Sequence, residues 1–188
     1  MNNQPEQLLP KQISPDHKAH NIFLIGFMGS GKTTVCECLH KMYGMEVVEM
    51  DSMISRQEGM SISDIFTEHG EEYFRALETE LLAGLRDQNN IVVSCGGGTP
   101  MRENNVALMK KSGRIVLLTA RPETIYERVR HSHDRPLLEN NMNVPYIAEL
   151  MEKRREKYEA AADLIVETDG KKAAAICGEI MQKITSQM

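Results

Sequence analysis

The stretch Gly26-Phe27-Met28-Gly29-Ser30-Gly31-Lys32-Thr33 follows an apolar run, Ile22-Phe23-Leu24-Ile25, and leads into the helical spacing of Val35, Leu39 and Met42. It satisfies G-x-x-x-x-G-K-[ST] at every specified position, in the strand–turn–helix setting that gives the motif its meaning. Backbone N–H groups of such a loop wrap an anion, and the positive end of the helix dipole adds to the attraction. The stretch therefore reads as a cradle for a nucleoside triphosphate, formed by Gly29, Ser30, Gly31, Lys32, Thr33 and Thr34. Lys32 is expected to neutralise the β- and γ-phosphates, and Thr33 to offer its hydroxyl to Mg2+.

The pattern repeats along the chain. Short apolar runs at Glu46–Met50, Ile91–Ser94, Arg114–Thr119 and Leu164–Val166 alternate with helical spacing. Ser61 and Asp64 form a capping box before a long helix through Phe74, Leu77, Leu81 and Leu85. Further helices are predicted over Arg102–Lys111, Pro122–Val129, Pro145–Ala162 and the C-terminus. Continuous apolar strands separated by amphipathic helices imply parallel strands buried on both faces. The predicted fold is α/β, a three-layer, doubly wound, five-stranded parallel sheet whose ligands bind at the carboxyl ends of the strands. Residues 1–20, polar and with Pro5, Pro10 and Pro15, read as a flexible tail; residues 21–188 read as one domain.

Bulk properties narrow the class. A net charge of −5 argues against a nucleic-acid surface. No apolar run approaches the roughly 20 residues of a membrane span, and the N-terminus lacks a signal pattern, so a cytoplasmic location is expected. The cysteines, Cys36, Cys38, Cys95 and Cys177, lie among apolar neighbours and read as reduced thiols rather than a metal site. No N-K-x-D segment of a guanine-reading switch follows the fourth strand.

On the acceptor side, Glu49 and Asp51 have alternate spacing at the end of the second strand. One carboxylate can hold Mg2+ through water while the other accepts a hydroxyl proton, although Asp51 equally suits a helix N-cap. Arg75 lies beside the apolar stripe of its helix. In Ser94-Cys95-Gly96-Gly97-Gly98-Thr99-Pro100, three glycines follow the third strand, where bare N–H groups can approach a ligand closely.

The order GFMGSGKT, E-x-D, SISDIFTEHGEEYFR, SCGGG, DRPLL and RREKY resembles the shikimate kinases, over roughly residues 21–183. The resemblance implies a P-loop fold of the nucleoside-monophosphate-kinase type. A substrate-binding region is expected at about 51–85 and a mobile lid at about 130–143. It implies transfer of the ATP γ-phosphate to the 3-hydroxyl of shikimate, with Mg2+. Residue by residue, Asp51 matches the hydroxyl ligand and proton acceptor, and Arg75 an arginine gripping the shikimate carboxylate. Arg154 matches the second such arginine, with Arg155 as its rival. Gly96, Gly97 and Gly98 match the pocket lining, and Arg135 the lid arginine that reaches the transferring phosphate. Arg128, or its rival Arg130, matches the arginine packing on adenine, and Asp169 belongs to the adenine-side loop. Glu49 stands where the family usually carries aspartate. His131 and His133, in the lid, read as solvated.

On this reading Gly97→Ala is expected to lose acceptor binding while keeping ATP. A monomer is expected. The alternatives are a P-loop kinase for another polyol acid such as gluconate, or a non-catalytic nucleotide-binding regulator.

Overall fold

The computed structural model describes residues 21–130 and 143–186. The flexible-tail reading of residues 1–20, and most of the lid with Arg135, His131 and His133, lie outside the described residues.

Five strands form one parallel sheet: β1 (Asn21–Ile25), β2 (Glu46–Glu49), β3 (Ile91–Ser94), β4 (Gly113–Thr119) and β5 (Leu164–Glu167). Their order across the sheet is β2-β3-β1-β4-β5. Among the described residues seven helices accompany them: α1 (Lys32–Tyr43), α2 (Met50–Glu58), α3 (Ile62–Gly84), α4 (Glu103–Ser112), α5 (Pro122–Val129), α6 (Val144–Ala161) and α7 (Ala173–Ser186), with a 3-10 turn at Thr99–Met101.

Why the strands read as unbroken apolar runs is visible in where alternate side chains go. Phe23 and Ile25 of β1, Ile91 and Val93 of β3, and Ile115 and Leu117 of β4 enter one core with residues of α2, α3 and α4. Ile22 and Leu24, Val92, and Val116 and Leu118 enter the opposite core with α1 and α7. On a sheet covered on both faces, a period of two gives each of the two alternating sets of central-strand residues an apolar core to enter. A third cluster joins Phe27, at the start of the P-loop, to α5 and α6 through Ala120, Ile125, Val129 and Ile147.

Two boundaries differ from expectation. The second strand stops at Glu49 and α2 begins at Met50, so Glu49 takes the N-cap position and Asp51 falls in the helix's first turn. The two carboxylates are therefore not alternate residues of one strand. The long helix α3 starts as expected, with the Ser61 side chain accepting from Asp64 N, but kinks at Gly70.

The four thiols are free. Burial pushes those of Cys36, Cys95 and Cys177 up, which keeps them protonated and unreactive. Among the described residues no helix is long and apolar enough to cross a membrane.

Candidate active site

A cleft of about 1380 Å3 opens along the carboxyl ends of the strands. The P-loop, Arg128 and Thr168 line one part of it; Asp51, Phe66, Arg75, Gly96, Gly97, Gly98 and Arg154 line another.

At the P-loop end the backbone conformation follows from the glycines. Gly26 has φ 144°, and a Cβ there would lie 2.4 Å from the Leu118 carbonyl oxygen, so the tight turn against β4 admits no side chain. The loop closes through Ser30 N donating to Phe27 O at 3.1 Å, and Lys32 Nζ donates to Gly26 O at 2.9 Å. Ser30 Oγ is buried without a hydrogen-bond partner. Arg128 spans the cleft edge, donating to Gly29 O at 3.0 Å and to Thr168 Oγ1 at 3.1 Å. Its rival Arg130 is exposed and ion-paired with Glu127. Asp169 does not line the cleft. Its carboxylate accepts from Arg121 N at 3.0 Å and from the Thr124 hydroxyl, fastening the β5–α7 loop to the start of α5.

Below the P-loop, Glu49 is half-buried. Burial pushes its carboxyl above the ordinary range, opposed by the Ser94 and Thr33 hydroxyls and reinforced by Asp51. Its Oε1 is buried without a partner. A buried carboxylate oxygen of this kind fits a donor such as metal-bound water, and with the Thr33 hydroxyl alongside it suits Mg2+. Among the described residues there is no cluster of three His, Cys, Asp or Glu side chains able to hold an ion by themselves.

The other part of the cleft packs carboxylates closely around Arg75. Arg75 Nη1 donates to Glu78 Oε2 at 2.7 Å, and its Nε and Nη2 donate to Glu71 Oε1 at 3.2 and 3.0 Å. The guanidinium lies near the Phe66 and Phe74 rings, 5.9 and 5.3 Å from their centroids. Burial works against the Arg75 charge, but Glu78 and Glu71 together push its pKa up. The three glycines carry different constraints. A Cβ on Gly98 would lie 2.3 Å from Arg75 Cζ, and one on Gly96 would lie 2.7 Å from Glu78 Oε1 and 3.1 Å from Asp51 Oδ1. One on Gly97 would meet Arg154 Nη1 at 3.3 Å, so Gly97, the expected critical position, has more room than its neighbours.

Arg154 is half-buried and lines the cleft, whereas Arg155 is exposed and paired with Glu152. One turn along α6, Tyr158 donates its hydroxyl to Gly97 O at 2.7 Å. Burial pushes the Tyr158 pKa up despite Arg154 nearby, so the hydroxyl keeps its proton.

Sequence reasoning missed Glu78, Tyr158 and Phe66, whereas Thr168 belongs to the adenine-side loop that the resemblance implied. Glu78 was findable: it lies four residues after Phe74 and three before Leu81, a charge on the buried stripe, and it is fully buried.

The chain is similar to known proteins over most of its length. A family described as shikimate kinase matches residues 28–185. A shikimate kinase of Persephonella marina is 42% identical over 164 residues, covering 87% of this chain and 98% of its own. One of Geobacter metallireducens is 39% identical over 168 residues, covering 89% and 93%. The solved shikimate kinase of Acinetobacter baumannii, in complex with shikimate, superposes with a TM-score of 0.83 at 32% identity, covering 90% of this chain and 94% of that one.

Proposed function

The chain belongs to the shikimate kinase family, and from that membership we propose that it transfers the γ-phosphate of ATP to the 3-hydroxyl of shikimate, giving shikimate 3-phosphate and ADP. One observation carries the reading: a single cleft holds a phosphate cradle in one part, and two arginines with an aspartate around a glycine loop in another.

Phosphoryl transfer asks mainly for alignment and charge neutralisation. The P-loop N–H groups and Lys32 receive the phosphates, and Arg128 is suited to pack on the adenine. Arg75 and Arg154 grip the acceptor carboxylate, since planar guanidinium donors match two carboxylate oxygens in a way ammonium cannot. Asp51, with Oδ1 beside Gly96, accepts a hydrogen bond from the acceptor hydroxyl and takes its proton as the O–P bond forms. The residues that would hold Mg2+ are Thr33 and, through water, Glu49, and the ion would supply neutralisation of phosphate charge there. The remaining clamp is assigned to Arg135 on its sequence motif. A monomeric, cytoplasmic enzyme without nucleic-acid or membrane partners fits the charge and hydropathy.

Coupled ADP release with shikimate, with gluconate and without acceptor tests the proposal. Shikimate-dependent release is expected. Equal release with gluconate, or binding of ATP without acceptor-dependent turnover, overturns it.

A further inference from the structure

Glu78 is one of three fully buried polar side chains behind the glycine loop; Thr99 and Asn105 are the others. A buried carboxylate is costly unless every lone pair is answered. Here Oε2 accepts from Arg75 Nη1, and Oε1 accepts from the Thr99 hydroxyl. Thr99 is fixed in turn by its own backbone: its carbonyl accepts from Asn105 Nδ2 at 3.0 Å. Asn105 Oδ1 lies 2.7 Å from the Thr79 hydroxyl, which also stands 3.0 Å from the Arg75 carbonyl oxygen. The chain of polar groups thus leaves α4, crosses the 3-10 turn, and returns to α3 at both ends of Arg75, guanidinium and carbonyl. Apolar residues of similar volume would fill this space at lower cost, so the retained polarity points to a directional task.

We propose that Thr99 and Asn105 are positioning residues for the acceptor: through Glu78 they hold the Arg75 guanidinium against Gly98, in the orientation that receives the substrate carboxylate. The proposal rests on the reading of Arg75 as a shikimate-carboxylate ligand. Glu71, the other partner of Arg75, is largely solvent-exposed and cannot hold the guanidinium as firmly. Without the Thr99 hydroxyl, Oε1 of Glu78 loses the donor that answers it, Glu78 shifts or takes up a proton, and Arg75 is released into several rotamers. The nucleotide end, held by the P-loop and Arg128, has no part in this chain.

The test is Thr99→Val, with Thr99→Ser as rescue and Asn105→Ala as a second break in the chain. Shikimate and ATP affinities are measured by titration calorimetry at 10 °C, where a moderately destabilised variant stays folded, together with kcat and both KM values. Loss of one hydrogen bond to a charged group predicts about a tenfold rise in shikimate Kd for Thr99→Val. ATP Kd should stay within twofold, kcat at saturating shikimate should change less than KM, and Thr99→Ser should restore binding. Adding Thr99→Val to Arg75→Ala should raise shikimate Kd no further, because the threonine acts only through that arginine. An unchanged shikimate Kd, equal losses for both ligands, or full additivity with Arg75→Ala overturns the proposal. If Thr99→Val does not fold, the same outcomes are read from Asn105→Ala. Failure of the wild-type protein to bind shikimate would instead sink the functional reading. Wild-type binding that Arg75→Ala weakens and Thr99→Val leaves intact would sink this inference alone.

Discussion

Gly98→Ala is the sharpest perturbation the acceptor end allows. Gly98 has φ −95° and ψ −14°, a conformation open to any residue, so backbone strain plays no part. The obstacle is contact: the added methyl would lie 2.3 Å from Arg75 Cζ and Nη2 and 2.4 Å from Nη1, against an ordinary separation of about 3.5 Å. The guanidinium must retreat by about 1 Å, which breaks its 2.7 Å bond to Glu78 and takes it away from an incoming carboxylate. Loss of a charge-assisted interaction of about 1.5–3 kcal/mol corresponds to roughly 10- to 150-fold weaker shikimate binding. Glu78 would lose its cationic partner, but proton uptake and the smaller entropy of the unfolded alanine variant, about 0.4–1 kcal/mol, offset part of that. A net destabilisation of about 1–2 kcal/mol, and a Tm lower by roughly 2–8 °C, is expected. Calorimetric titration with shikimate and separately with MgATP reads the affinities. Gly97→Ala, whose methyl meets atoms at 3.3 and 3.5 Å, should cost less than about threefold on the same scale. The reverse ranking, with Gly97→Ala more damaging than Gly98→Ala, would refute the claim that the loop is bare to admit Arg75.

Glu71 uses the Nε edge of Arg75, so a substrate carboxylate taking that edge must displace it; Glu71→Gln should tighten shikimate binding, by at most about fivefold for an exposed pair, with the gain shrinking in high salt. A weaker Kd in that variant would mean that Glu71 helps hold the arginine instead. Asp169 loses some charge stability to burial, yet the Thr124 hydroxyl and Arg121 N–H more than restore it, and its pKa falls below the ordinary 3.8. A depressed carboxylate stabilises the fold above its unfolded pKa and loses that contribution as pH falls through the folded value. Asp169→Asn should therefore lower Tm at pH 7, with the gap to wild type closing below about pH 3.8; a gap that persists in acid would refute the charge-based account.

How far the sequence carried can be judged at particular residues. The P-loop and the strands were legible because glycine spacing and apolar period are local signals, and Ser61 with Asp64 fixed the start of α3 for the same reason. The end of β2 was not: Glu-Met-Asp suits a strand alternation or a helix start, and the burial of Met50 and Ile54 against the sheet decided for the helix. The kink at Gly70 left no mark beyond one glycine within a helical pattern. Arg154 and Arg155 differ by one position, a rotation of about 100°, and only packing against the glycine loop distinguishes the half-buried side chain from the solvated one. Thr99 and Asn105 were unreadable, since their partners lie 21 and 26 residues away on α3.

Helix α6 touches both halves of the cleft. Ile147 packs in the cluster with Phe27 of the P-loop, and eleven residues later, about 16 Å along the axis, Tyr158 is bonded to the carbonyl of Gly97. A tilt of the first turns of α6 would therefore be felt at the Gly97 carbonyl, in the part of the cleft proposed for the acceptor. Thermodynamic reciprocity then binds the two ligands to one number: whatever factor ATP applies to acceptor affinity, the acceptor must apply to ATP.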